Sequence, residues 1–132
     1  MVVDTSVAVK WYLPEKGSDE AARLRSEWET AGAPIMMPEL VRAEFANAIL
    51  FQQRLSDEEK VRIVGHFLDT PFEIMPMEGE LVEKALELAL ELDATVYDCI
   101  FLALALFAGT RLVTADSSFA KKAGKYPVAM LK

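Results

Sequence analysis

The chain has 132 residues, 52% of them hydrophobic and 27% charged, with a formal net charge of −7, one cysteine and one histidine. That length suits a single domain, residues 1–132, with a core that stands without disulfides. The lone Cys99 excludes an intrachain disulfide, and Cys99 with His66 alone excludes the usual zinc-ligand clusters. The negative balance argues against binding nucleic acid through a broad basic face, although carboxylates that hold cations count as negative here and are neutralised when loaded.

Val2-Val3 reads as a short buried strand, followed by Asp4-Thr5-Ser6 and a helical stretch from Val7 to Leu13. Ser18 to Thr30 is amphipathic and ends at Gly32. Pro34 to Met37 reads as a strand, and Pro38 suits the first turn of a helix running to about Arg54. The apolar side of that helix comprises Leu40, Val41, Phe45, Ala48, Ile49 and Phe51. Ser56-Asp57-Glu58-Glu59 is a capping-box pattern opening a helix to about Asp69.

Phe72 to Met75 is expected to form a strand and Glu80 to Leu92 a helix. Thr95 then opens a helix from Val96 to Phe107, apolar nearly all round and therefore central, which Gly109 ends. Arg111 to Thr114 is a strand, Asp116 starts a short helix ending near Gly124, and Tyr126 to Leu131 is the last strand. Strands alternating with helices predict an α/β fold with a largely parallel sheet, whose ligands bind at the carboxyl ends of the strands. The longest apolar run, Cys99 to Ala108, is half the roughly 20 residues of a membrane span. No basic or apolar leader precedes Asp4, so a soluble cytoplasmic protein with no membrane contact is expected.

Four carboxylates stand out by position. Asp4 and Asp116 directly follow predicted strands, Asp98 lies in the first turn of the most apolar helix, and Glu44 interrupts an apolar helix face between Ala43 and Phe45. Gathering such acids is costly through repulsion and desolvation, and a divalent cation removes that cost. All-oxygen ligation is the preference of Mg²⁺ and Mn²⁺, whose natural chemistry is hydrolysis of phosphodiester bonds. Each acid also has a plainer reading. Asp4 and Asp116 could cap the helices that follow, Asp98 could pair with Thr95 in a variant capping box, and Glu44 could be an exposed helix residue. Thr5, Ser6, Thr114, Ser117 and Ser118 adjoin the acids and could orient a carboxylate or a cation-held water, or serve only as turn and cap residues. Asn47 shares the helix face of Glu44. His66 reads as a surface residue and Cys99 as core. Lys121, Lys122 and Lys125 could form a local basic patch or a solvated helix face.

Val2-Val3-Asp4-Thr5-Ser6-Val7 resembles the opening motif of PIN-domain nucleases. Pro38 to Glu44, Tyr97 to Ala105, and Leu112 to Phe119 are similar to their second, third and fourth motifs, in the expected order. The resemblance implies an α/β/α sandwich with a five-stranded parallel sheet and Mg²⁺- or Mn²⁺-dependent cleavage of RNA by Asp4, Glu44, Asp98 and Asp116. The short form is similar to VapC-type toxins, which implies a homodimer and a small antitoxin whose tail enters the acidic groove. Some relatives carry a further acid just after the fourth motif, where Ser117 and Ser118 stand here. Alternatives are an RNA-processing nuclease of the same family without a toxin role, a non-catalytic interaction module, and an aspartate-based phosphohydrolase. The phosphohydrolase of the haloacid dehalogenase type would want a second Asp where Ser6 stands.

Overall fold

The computed structural model describes residues 1–131. Its elements are β1 (Val2–Val3), α1 (Thr5–Ala8), a single 3₁₀ turn (Val9–Trp11), α2 (Ser18–Ala31), β2 (Met36–Pro38), α3 (Leu40–Leu50), α4 (Asp57–Asp69), β3 (Glu73–Met75), α5 (Gly79–Leu92), α6 (Val96–Phe107), β4 (Leu112–Thr114), α7 (Ser117–Lys122) and β5 (Val128–Met130). The strands form one sheet in the order β3-β2-β1-β4-β5, and every pairing is parallel. This is the α/β fold with the parallel five-stranded sheet expected from the alternating pattern.

The strand order places the site. From β1 the chain crosses to β2 on one side, and from β4 it crosses to β5 on the other. Crossovers between parallel strands are right-handed, so opposite directions of travel put the connecting helices on opposite faces and leave a crevice between β1 and β4. Val2 lies opposite Leu112 and Val3 opposite Val113, so the two strands end side by side.

α6 is the centre of the core. Every side chain from Cys99 to Ala105 is buried, because one face packs on β1, β2 and β4 while another packs on α5. A second cluster is aromatic: Phe45 stacks on Phe67 with ring centroids 4.0 Å apart, and Trp11 and Trp28 flank Phe72.

Local signals set several helix ends where expected. Ser56 and Glu59 form the complete capping box of α4, Thr95 accepts the Asp98 N–H at the start of α6, and Gly32 ends α2 at φ 67°. Two expectations are corrected. Pro38 does not open a helix but ends β2 opposite Met75. β1 pairs with β2 with Val2 opposite Met36, so Pro38 lies beyond that pairing, at the strand end where a residue without an N–H is tolerated. Helix α3 stops at Leu50 rather than near Arg54, and Phe51 is 71% exposed rather than part of its buried face. Gln52, Gln53 and Arg54 offer nothing apolar to bury, and the Gln52 N–H closes a turn onto the Ile49 carbonyl instead.

A candidate acidic active site

Asp4, Glu44, Asp98 and Asp116 line one cavity of about 250 Å³, together with Thr5, Ser6, Asn47, Ala48, Phe51 and Phe101. Asp4 arrives at the carboxyl end of β1 and Asp116 just beyond that of β4. Asp98 lies in the first turn of α6, whose N-terminal end stands over the same sheet edge because α6 leads back into β4. Glu44 projects from the second turn of α3, the helix that follows β2.

The capping readings hold alongside this clustering. Asp4 accepts the Val7 N–H at 3.3 Å as the N-cap of α1, and Asp116 accepts the Phe119 N–H at 3.0 Å as that of α7. Capping fixes each carboxylate at the strand-to-helix junction, so it positions the acids rather than competing with a site.

The neighbouring hydroxyls act on the acids directly. Thr5 Oγ1 donates to Glu44 Oε1 at 2.8 Å. Ser6 Oγ donates to Asp4 Oδ1 and accepts the Ala115 N–H at 2.9 Å, tying the end of β1 to the end of β4. It also lies 3.4 Å from Thr114 Oγ1, which accepts the Asp116 N–H at 3.0 Å. Thr114 is wholly buried. Ser118 lines an adjoining cavity with Asp98 and Asp116.

The electrostatics show acids held against their preference. Burial pushes the Asp4 carboxyl up to about 6; the Ser6 and Thr114 hydroxyls and the Val7 N–H oppose this, and the Asp98 charge adds to it. Burial also raises Glu44, against the Thr5 hydrogen bond and with the charges of Asp98 and Asp4. Asp98 is raised by burial and by Asp116, and held down by the Thr95 hydroxyl and by Lys122. These are mutually repelling carboxylates, and among the described residues no lysine or arginine lines the cavity with them.

Among the described residues, no three His, Cys, Asp or Glu side chains close into a ready-made metal cage. The donor set nevertheless fits a hard cation of the Mg²⁺ type, which is held through one or two carboxylates and keeps several waters. The cavity offers oxygen donors only, from carboxylates, hydroxyls and an amide, with room for waters between them.

The remaining candidates separate cleanly. His66 lies outside the cavity, its Nδ1 2.7 Å from the Tyr12 hydroxyl. Cys99 is fully buried in α6. Of the three lysines, Lys125 pairs with Glu91, whereas Lys122 lines the adjoining cavity. Phe51 and Asp93 also line these cavities; nothing local in the sequence marks either, since their places follow from where α3 and α5 end.

A family model described as PIN domain matches residues 1–125. No curated protein sequence matches the chain. Among solved structures, the chain is similar to a toxin–antitoxin complex from Klebsiella pneumoniae at 17% identity, covering 99% of this chain and 97% of that one, with a TM-score of 0.73. It is similar to FitAcB from Neisseria gonorrhoeae at 14% identity, covering 99% and 96%, with a TM-score of 0.73. It is also similar to VapC20 of Mycobacterium tuberculosis, described as a sarcin-ricin loop cleaving toxin, at 20% identity, covering 91% and 92%, with a TM-score of 0.69.

Proposed function

This chain belongs to the PIN domain family, and on that premise we propose that it is a divalent-metal-dependent endoribonuclease, the toxin of a toxin–antitoxin pair. The observation that carries the reading is the gathering of Asp4, Glu44, Asp98 and Asp116 around one cavity at the switch point of the sheet. Burial and mutual repulsion raise three of these carboxyls, a cost that a bound cation would relieve with the acids ionised.

Asp4 and Asp98 are the primary ligands in this reading, with Glu44 and Asp116 binding directly or through water. Held by these residues, a cation of the Mg²⁺ or Mn²⁺ type would lower the pKa of a water and stabilise the leaving oxygen of a phosphodiester. Ser6 and Thr5 hold Asp4 and Glu44 in their ionised, acceptor state by donating to them. Thr114, through the Asp116 N–H, fixes the turn that carries Asp116. His66 lies outside the cavity, so no imidazole is at hand as general base, which favours a water activated by the cation.

The toxin role rests on the likeness to toxins and their complexes with antitoxins. The partner is a small antitoxin protein, and a second copy of the chain completes a homodimer. Exposed apolar side chains at Leu50, Val61, Leu68, Leu86 and Leu90 leave surface for protein partners. No helix among the described residues is long and apolar enough to cross a membrane, and the cytoplasm is the proposed location.

The test is cleavage of labelled RNA by wild type and Asp98→Asn, with Mg²⁺ or Mn²⁺ and with EDTA. Wild type is expected to cleave only with metal, and Asp98→Asn to lose on the order of hundredfold or more in rate while keeping its circular dichroism. Cleavage that persists in EDTA refutes the mechanism. Growth arrest on induced expression separates a toxin from an RNA-processing enzyme with the same chemistry.

A further inference from the structure

The cleft continues past the acid cavity. Asp98 and Asp116 line that cavity and also a second one of about 340 Å³, walled by Asp93, Thr95, Ser118 and Lys122. The two carboxylates are therefore a ridge between two hollows. Among the described residues lining either hollow, Lys122 is the one cation.

Its position is built by the fold. Lys122, exposed in the last turn of α7, donates from Nζ to the Asp93 carbonyl at 2.6 Å. Asp93 is the C-cap of α5 and, at φ 52°, the one non-glycine among the described residues in the left-handed region. Aspartate tolerates that conformation better than most residues. The C-terminal end of α5 also carries the negative end of the helix dipole, which favours an ammonium. The Asp93 carbonyl takes one of three ammonium donors, leaving two for a ligand.

Resting on the reading of the chain as an RNA nuclease, we propose that Lys122 binds the phosphate adjacent to the one cleaved, with the second hollow receiving the flanking nucleotide. A phosphate drawn to the acid cavity lies beside the Asp98–Asp116 ridge, so the strand that carries it continues into the second hollow. Both hollows carry carboxylates, and among the described lining residues only the second offers a cation, Lys122, to the neighbouring phosphate. On a chain of net charge −7 the net field opposes RNA, so a single cation at the cleft carries unusual weight.

The competing account is that Lys122 merely ties α7 to the end of α5. Lys122→Gln separates the two, because glutamine still offers an N–H to the Asp93 carbonyl but has no charge. Binding of a labelled single-stranded RNA oligomer is measured by fluorescence anisotropy in Ca²⁺ across a range of KCl concentrations. Cleavage in Mn²⁺ is measured on the same oligomer and on a dinucleoside monophosphate, which has no flanking phosphate. Lys122→Gln is expected to bind the oligomer about tenfold more weakly, with the slope of log K against log salt reduced by about 0.7. Its KM rises severalfold more for the oligomer than for the dinucleotide, any change shared by both substrates reporting the lost charge beside Asp98, and Lys122→Arg restores oligomer binding.

Wild-type affinity and salt slope in Lys122→Gln overturn the proposal while leaving the nuclease reading intact. An equal loss on oligomer and dinucleotide overturns it too, because the lysine then acts on the cleaved phosphate or on the fold. A wild type that neither binds nor cleaves RNA removes the nuclease reading and this inference with it.

Discussion

The Thr5 hydroxyl donates to Glu44 Oε1 across 2.8 Å, joining the first residue of α1 to the second turn of α3. This bond is the main influence that favours the ionised form of Glu44, whose burial and two neighbouring carboxylates favour the protonated one. Thr5→Val removes the donor and keeps the shape. The Glu44 carboxyl is then expected to titrate at higher pH than in wild type, with a stability cost of about 1 kcal/mol. Carbon-13 NMR titration of the Glu44 carboxyl reads the shift, and an unchanged midpoint would show that the bond does not hold this acid.

Asp4 makes the stability of the metal-free protein depend on pH. Its folded carboxyl is pushed up to about 6, chiefly by burial, so between roughly pH 4 and 6 the folded chain keeps a proton that the unfolded chain has released. The folded state binds more protons, and stability therefore falls as pH rises through that window. A shift of about two units corresponds to about 3 kcal/mol, present below pH 4 and gone above 6. Glu44 and Asp98 shift in the same direction. Thermal melts in EDTA should decline across this window, and the decline should flatten in Asp4→Asn and in wild type with Mg²⁺, which binds the ionised form. An identical slope in Asp4→Asn would exclude Asp4 as its source.

Asp116 has two separable roles. Its Oδ1 caps α7 through the Phe119 N–H, and in the proposed mechanism the same carboxylate helps hold the cation. Asp116→Asn keeps a capping oxygen, whereas Asp116→Ala does not. Denaturant melts are expected to leave the first close to wild type and to cost the second about 1 kcal/mol. Both should lose metal-dependent cleavage. Full activity in Asp116→Asn would reduce this residue to a cap.

Cys99 follows Asp98 directly but points into the core. It is fully buried, and burial, with a smaller contribution from the Asp98 charge, pushes its thiol up to about 11. At pH 8 the folded protein is expected to resist a disulfide-exchange thiol reagent and to react only as fast as it unfolds. Rapid labelling without denaturant would place the thiol at the surface.

Much of the fold is legible from neighbours within a turn or two. The Ser56–Glu59 box, the Thr95 cap and Gly32 act over three or four residues; the first two start a helix and the third ends one where its chemistry indicates. The apolar stretch from Val96 to Phe107, bounded by the Thr95 cap and Gly109, is long enough to read as a central helix, and it is one. Boundaries failed where the local signal was ambiguous. Pro38 suits either the end of a strand or the start of a helix, and only pairing with Met75 decides. Phe51 continues an apolar helical pattern, but the turn onto Ile49 leaves it exposed at the rim of the cleft.

The amino-acid sequence by itself determined the alternation of strands and helices and the placement of Asp4 and Asp116 at strand ends, because hydrophobic period and capping are short-range. It also carried four family motifs in order. Only the tertiary structure decided that β1 lies beside β4, which brings Asp4 and Asp116 to one crevice and lets Ser6 bridge Asp4 and Ala115. The same is true of Lys122, which stands among three lysines in sequence but meets the cleft because the end of α5 presents a carbonyl to it. Strand order and helix-to-helix docking arise from burying apolar faces across the whole chain. The four carboxylates become a candidate site only when those long-range contacts form.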